Sequence, residues 1–192
     1  MKRSLSPLRY PGGKASIYDM TRDVIASHDM ELCQYAEPYA GGCGLALRLL
    51  TNNVVEELHL NDIDQSISSL WSAIVNQPEE LANLISLSKI DMDEWYKQKA
   101  IQDIKDTVDS LELAFSTLFL NRTNRSGIIK AGVIGGKKQD GAYRMDCRFN
   151  KVALIKKVHQ IAAIKDKIHI YNMDAIEFIE KLESLALPKP LL

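Results

Sequence analysis

The chain has 192 residues, of which 46% are apolar and ten are glycines, and its formal net charge is −1. This length suits one globular domain with an insertion, and the near-neutral charge does not exclude a polyanionic partner, because nucleic-acid-binding proteins often confine positive charge to one face. Three cysteines without Cys-x-x-Cys spacing favour neither a disulfide framework nor a zinc site, and no stretch approaches the roughly 18 apolar residues of a membrane span. We therefore expect a soluble cytoplasmic protein that holds no metal.

Strand and helix patterns alternate in the first part of the chain, and each strand ends in a polar or glycine-rich turn. Such alternation is typical of a parallel β-sheet covered by helices. The predicted elements are a turn over residues 9–14, a helix over about 15–28, a strand over 34–37, a helix from 45, a strand over 57–60 and a helix containing 67–74.

The middle of the chain departs from this alternation. Apolar residues recur at helical spacing from Pro78 to about Leu120, which predicts a helical insertion. Residues 121–150 carry five glycines without a sustained apolar period, so we predict a long loop or hairpin there.

The strand and helix pattern returns in the last part of the chain. We predict a helix over 151–164, a strand over 168–171 and a helix over 175–182, and Leu191-Leu192 is typical of the start of another buried strand. The predicted domains are a core over 1–65 and 151–192 and a helical and loop insertion over 66–150.

Three glycines follow the first strand in Glu37-Pro38-Tyr39-Ala40-Gly41-Gly42-Cys43-Gly44. Glycine lets a ligand approach the backbone, and the N-terminus of the following helix offers free N–H groups. The nicotinamide dinucleotide fingerprint Gly-x-Gly-x-x-Gly, laid on Gly42 and Gly44, puts Leu47 at its third glycine. The turn therefore favours ligand binding but disfavours an oxidoreductase.

Asn61-Asp62 follows the second strand, about 20 residues after the glycines. A carboxylate there lies beside the glycine turn of a doubly wound sheet and can accept hydrogen bonds from both hydroxyls of a ribose. Capping of the next helix by Asp62 is the alternative. In Tyr10-Pro11-Gly12-Gly13-Lys14, the lysine ammonium either reaches a carboxylate or phosphate or stays in solvent.

The segment from Asn121 to Lys151 holds eight basic and two acidic residues in a nearly neutral chain. Such charge on glycine-rich loops can follow phosphates and reach base edges, and a solvated charge run is the alternative. In the run from Asn121 to Gly127, arginines could bind phosphate or guanine and asparagines could bind adenine. The residues predicted to contact DNA are Asn121, Arg122, Asn124, Arg125, Lys137, Lys138 and Arg144.

Together with Phe119-Leu120-Asn121-Arg122-Thr123-Asn124-Arg125-Ser126-Gly127, these motifs resemble the DNA adenine methylase family, which modifies the exocyclic amino group of adenine. The resemblance covers nearly the whole chain, and the motifs occur in the family's order. It implies a Rossmann-like α/β methyltransferase sheet, S-adenosylmethionine as the cofactor and double-stranded DNA as the partner. It also implies that the target-recognition region lies between the second strand and the strand over 168–171.

The resemblance assigns cofactor-binding residues as well. It implies that the aromatic-x-Gly-Gly-Lys segment and the glycine turn surround the methionine portion, and that the acidic residue after the second strand binds the ribose. An acidic residue after the later strand borders the adenine pocket, although an aspartate that opens a helix is also a routine cap. The implied set is Tyr10, Lys14, Glu37, Tyr39, Ala40, Gly41, Gly42, Asp62, Ile63, Met173 and Asp174.

The family's Asp-Pro-Pro-Tyr segment accepts the N–H bonds of the flipped adenine and stacks on its ring, but no Asp-Pro or Asn-Pro dipeptide occurs in this sequence. No catalytic residue is therefore assigned. We expect a truncated chain that is inactive alone and marginally stable, with a further segment or chain supplying the missing strands. The alternative is a non-catalytic remnant that binds DNA or cofactor.

Overall fold

The computed structural model describes residues 5–30 and 32–185 and the backbone of 190–191, and the chain forms two compact units. Among these residues, the first unit comprises 5–6, 12–68 and the residues from 164 onward, and the second comprises 7–11 and 69–163. The α-helices described are α1 (Tyr18–Ser27), α2 (Gly44–Thr51), α3 (Gln65–Asn76), α4 (Pro78–Leu87), α5 (Met92–Asp103), α6 (Ser110–Thr123), α7 (Lys151–Ala162) and α8 (Ala175–Ser184).

The first unit contains a parallel sheet. Its strands are β1 (Cys33–Glu37), β2 (Val55–Asn61), β3 (Ile168–Tyr171) and β4 (Pro190–Leu191), and their order is β3-β2-β1-β4. The helix α2 connects β1 to β2, as parallel neighbours require. The α/β class predicted from the alternation of patterns is confirmed, and β4 begins at Pro190, close to the strand predicted from Leu191; Leu192 lies outside the described residues.

The predicted helical stretch from Pro78 onward forms three helices in the structure. Asp91 accepts a hydrogen bond from the backbone N–H of Glu94, and Asp109 accepts one from Leu111, so each aspartate starts a new helix. The third helix, α6, continues to Thr123, three residues beyond the predicted end at Leu120. The long loop is accordingly shorter than predicted.

The second unit contains residues 7–11, helices and the loop over 124–150. The helix α7 belongs to this unit, whereas the predicted boundary placed it in the core. The reason is that α7 packs against α4, and the ammonium of Lys151 donates a 2.8 Å hydrogen bond to the carbonyl oxygen of Ser86. Within the residues that the structure describes, every helix is too short or too polar to cross a membrane.

Candidate functional site

The glycine turn and the aspartate after β2 meet at the carboxyl ends of β1 and β2. The backbone N–H of Gly41 donates a 2.9 Å hydrogen bond to Oδ2 of Asp62, and the N–H of Ala40 donates to the carbonyl oxygen of Asn61 at 2.8 Å. Gly41 has φ 48°, and Cys43 has the same left-handed angle immediately before α2. This angle costs glycine nothing but is strained for Cys43, and strained residues cluster at ligand clamps. Here the two residues fold the turn against the neighbouring strand end.

The carboxylate of Asp62 is half-buried and fixed by two backbone donors. Besides Gly41, the N–H of Asp64 donates to its Oδ1 at 3.0 Å. The N-terminal turn of α3 is capped by Asp64 instead, whose Oδ1 accepts a 3.1 Å hydrogen bond from the N–H of Ser66. Asp62 is therefore not the helix cap. Because a carboxylate has about four acceptor positions and two are used, Asp62 retains positions for a ligand.

Lys14 and Glu37 lie beside the same turn. The ammonium of Lys14 donates a 2.6 Å hydrogen bond to the carbonyl oxygen of Tyr39 and lies 3.4 Å from Oε2 of Glu37. Glu37 is only 2% exposed, and the hydroxyl of Tyr35 donates to its Oε1 at 3.3 Å. Burial raises the pKa of Glu37, and the ammonium of Lys14 offsets part of this effect.

Oε2 of Glu37 is the chemically distinctive atom of this group. It is buried and lies 3.4 Å from the Lys14 ammonium, and it accepts no hydrogen bond of good geometry among the described residues. Because buried polar atoms in folded proteins nearly always have a hydrogen-bond partner, an oxygen engaged by a long ion pair can accept a further donor. A carboxylate in this position fits a ligand that carries a hydrogen-bonding cation.

Asn61 connects the ends of three strands. Its amide nitrogen donates to the carbonyl oxygens of Pro38 (3.1 Å) and Met173 (3.0 Å), and its Oδ1 accepts from the N–H of Met173 at 3.1 Å. Asn172 adds a 2.7 Å hydrogen bond to the carbonyl oxygen of Asp62. Sequence reasoning missed this bracing role, and polar residues directly after predicted strands are the signal that could have found it.

The remaining predicted cofactor residues have different environments. Ala40 and Gly42 are buried in the turn, whereas Tyr39 is 68% exposed and Ile63 is 64% exposed. Met173 is half-buried and packs against the core around Phe178.

Asp174 and Tyr10 complete the predicted set. Oδ1 of Asp174 accepts a 2.8 Å hydrogen bond from the N–H of Ile176, so Asp174 caps α8, the alternative that the sequence left open. Tyr10 belongs to the second unit and is 49% exposed.

In the second unit, two of the predicted DNA contacts are interior residues. Asn121 is 2% exposed and bonds both backbone groups of Arg9, while Asn124 is fully buried and accepts a 2.7 Å hydrogen bond from the indole N–H of Trp95. Their amide nitrogens also donate to carbonyl oxygens of the loop, including that of Gly127. Because both amides are engaged inside the unit, the prediction that they contact bases finds no support, and they hold the loop in place instead.

The other predicted DNA contacts lie on the surface of this unit. Arg122 is half-buried, and Arg125, Lys137, Lys138 and Arg144 are exposed. The loop turns back antiparallel after α6: a bridge joins Asn124 to Val133, and the N–H of Ile134 donates to the carbonyl oxygen of Thr123 at 2.8 Å. The excess of positive charge in this segment therefore lies on an ordered loop.

A second polar group of the first unit lies on β2 and β3, where His59 stacks on His169 with ring centroids 4.6 Å apart. His169 pairs with Glu57 at 2.9 Å, and the nitrogens of His59 face the hydroxyl of Tyr171 and the amide oxygen of Gln34. Burial, and then the proximity of His169, lowers the pKa of His59 to about 4. Both nitrogens of His59 are engaged, so we interpret this group as structural.

Comparison with known protein families bears on both units. The family model of the D12 class N6 adenine-specific DNA methyltransferase matches residues 10–185. No curated protein matches the chain.

Proposed function

Since the chain belongs to the D12 class N6 adenine-specific DNA methyltransferases, we propose that its first unit binds S-adenosylmethionine and that its second unit contacts DNA. The family is one of enzymes that act on DNA. The proposal adds the cofactor, the residues that bind it and the surface that contacts the nucleic acid.

The amino acid portion of the cofactor fits the charged pair beside the glycine turn. Oε2 of Glu37 is a buried acceptor that lies 3.4 Å from the Lys14 ammonium and accepts no hydrogen bond of good geometry among the described residues, and it matches the α-ammonium group. Lys14 matches the α-carboxylate, since its ammonium already lies at this end of the turn. Glycines at 41 and 42 leave room for the methionine portion to approach the backbone next to Tyr39 and Ala40.

The nucleoside portion fits the end of β2. Asp62 has acceptor positions for the two ribose hydroxyls and is held in orientation by two backbone N–H groups, so little conformational entropy is lost on binding. The exposed side chain of Ile63 and the half-buried Met173 offer apolar surface for the adenine ring.

Two further cofactor contacts are proposed on weaker grounds. Asp174 caps α8 through Oδ1, which leaves its second oxygen for the adenine amino group. Tyr10 is included because of its place in the aromatic-x-Gly-Gly-Lys motif.

We also propose that the sheet is of the Rossmann-like methyltransferase type. The strand order β3-β2-β1-β4 supports this, because the first strand lies centrally and the ligand-binding turn follows it at its carboxyl end.

When bound, the cofactor would supply an electrophilic methyl group on sulfur. The residues described above are proposed to bind and orient the cofactor, and none of them is assigned to accept the N–H bonds of the target adenine in DNA. No Asp-Pro or Asn-Pro dipeptide occurs in the sequence. We therefore propose that these 192 residues bind the cofactor without transferring its methyl group to DNA.

On the second unit, the exposed cations of the loop are proposed to contact the phosphate backbone of double-stranded DNA. Arg125, Lys137, Lys138 and Arg144 are solvent-exposed and lie on one short, ordered segment. Lysine and arginine side chains of this kind contribute affinity that does not depend on base sequence and that falls with salt.

The hydrogen bond from Gly41 to Asp62 carries the proposal, because it places the glycine turn and the ribose acceptor in one site. The test is calorimetric titration of S-adenosylhomocysteine into the wild-type chain and into Asp62→Ala and Asp64→Ala. Both variants lose a loop carboxylate that accepts backbone N–H groups, but only Asp62 is proposed to bind the ribose. We expect micromolar-range binding that Asp62→Ala weakens at least tenfold and Asp64→Ala retains; equal losses in both variants, or preferential binding of NAD, would contradict the proposal.

A further inference from the structure

Three arginines of the second unit lie near the C-terminal end of α6 without an acidic partner. Arg9 and Arg148 each lie close enough to Arg122 to repel its guanidinium electrostatically. None of the three forms an ion pair with a carboxylate in the part of the chain that the structure describes. Clustered cations without acids are costly to the fold unless an anion neutralises them.

The backbone of Arg9 is fixed against α6 by Asn121. The N–H of Arg9 donates to Oδ1 of Asn121 at 2.8 Å, and the amide nitrogen of Asn121 donates to the carbonyl oxygen of Arg9 at 2.9 Å. The guanidinium of Arg9 reaches the carbonyl oxygen of Asn124 at 3.5 Å. The cation is thereby directed to the end of α6, where it donates one long hydrogen bond.

Arg148 comes from the segment that follows α6 in the chain. It is the exposed last residue of the short 3₁₀ helix Met145–Arg148, which packs against α6. The next residue, Phe149, is buried and its ring lies 5.4 Å from that of Phe119 on α6. The aromatic contact anchors this helix against α6, and the guanidinium of Arg148 lies close enough to Arg122 to repel it.

Arg122 lies in the last turn of α6, between these two attachments. Its Nε is buried and donates no hydrogen bond among the described residues. Burial, followed by repulsion from Arg9 and Arg148, lowers the pKa of Arg122 to about 10. The side chain stays charged at neutral pH, and its buried donor has unused hydrogen-bonding capacity.

We propose that Arg9, Arg122 and Arg148 form a binding site for one phosphate group of the DNA backbone. This inference rests on the proposed DNA-binding function. Planar guanidinium groups match the geometry of phosphate oxygens. A cluster of three positive charges suits an anionic phosphate group better than the edge of a base, which carries no net charge. Arg122 therefore serves to position the DNA, and it does not read the base sequence.

The first test measures DNA affinity as a function of salt for wild type, Arg148→Gln and Arg122→Lys. Arg148 is exposed, so its replacement should not disturb folding, whereas Arg122→Lys keeps the charge but removes the buried Nε donor. Lys97→Gln removes one exposed positive charge elsewhere in the same unit and is the control. S-adenosylhomocysteine affinity, measured in parallel, should be the same in all four proteins.

We expect Arg148→Gln to weaken binding about tenfold for any duplex sequence and to reduce the slope of log K against log salt by about 1. Arg122→Lys should weaken binding while retaining most of the slope, and Lys97→Gln should change neither quantity. A wild-type slope in Arg148→Gln, or a loss confined to one base sequence, would overturn the phosphate site.

The second test does not depend on DNA and uses inorganic phosphate. The thermal midpoint of the wild-type protein should rise with phosphate concentration, and that of Arg148→Gln should rise less. Without phosphate, Arg148→Gln should be at least as stable as wild type, because one repulsive cation is removed. If wild type binds no DNA yet shows this phosphate response, the proposed function fails while the anion site stands; an equal response in both proteins would refute the site.

Discussion

Replacing Glu37 by glutamine should weaken cofactor binding without weakening the fold. The side chain is 2% exposed, and its Oε2 is the buried acceptor proposed to bind the α-ammonium group. A hydrogen bond to a charged group contributes about 1.5–3 kcal/mol, which corresponds to a tenfold or greater loss of affinity. The ion pair lost with Lys14, which is 40% exposed, contributes at most about 1 kcal/mol.

The pH dependence of the ligand-free protein should change in the same variant. Because burial raises the pKa of Glu37 above its ordinary value of 4.5, the folded state retains this proton at pH values where the unfolded state has lost it. Within that window the folded state binds more protons, so the contribution of Glu37 to stability falls as pH rises. Glu37→Gln removes this contribution and should leave the free energy of unfolding at pH 7 unchanged or higher.

The assays are calorimetric titration of S-adenosylhomocysteine and urea unfolding at pH 5 and pH 7. Glu56→Gln is the matched control, since it makes the same change at an exposed position of the neighbouring strand β2. Unchanged affinity in Glu37→Gln would refute the assignment of the ammonium site. A loss of several kcal/mol of stability in that variant alone would refute the reasoning about the buried charge.

Three further predictions concern the fold. The pKa of His59 is lowered from 6.5 to about 4, so protonation should remove up to about 3 kcal/mol of stability as pH falls from 6.5 to 4, and urea unfolding should show this loss in wild type but not in His59→Gln. Gly127→Ala should cost about 2–4 kcal/mol in thermal unfolding because φ is +78° and the added Cβ would overlap a backbone carbonyl, whereas Gly132→Ala, with open space, should be nearly neutral. Trp95→Phe leaves the buried Oδ1 of Asn124 without its 2.7 Å donor and should cost about 1–3 kcal/mol by the same measurement, while retention of full stability would show that the bond contributes nothing.

The local features of the first unit could be predicted from the sequence because they depend on short-range patterns. Glycines directly after a strand, and an aspartate after the next one, lie at the same edge of any parallel sheet. The contact between Gly41 and Asp62 follows from this topology once both strands are assigned. The capping role of Asp64 was missed. Asp62, Asp64 and Gln65 all follow β2 closely and all carry acceptor oxygens, so the sequence pattern does not show which of them caps α3.

Long-range packing explains what the sequence did not reveal. The amphipathic pattern of α7 shows that one face is buried, but it does not show that the partner is α4. Asn121 and Asn124 lie in a run typical of a polar loop, yet α6 continues through Thr123 and both amides are buried. The partner of Asn121 is Arg9, 112 residues earlier in the chain, and no local signal encodes that contact.

Amide hydrogen exchange with and without S-adenosylhomocysteine tests the central claim most directly, because it reports where the ligand binds. We expect ligand-dependent protection of the amides over residues 37–44 and 61–64, including that of Gly41, together with little change in the loop over 124–150. Protection confined to other segments, or none at saturating ligand, would contradict a cofactor site formed by the glycine turn and Asp62.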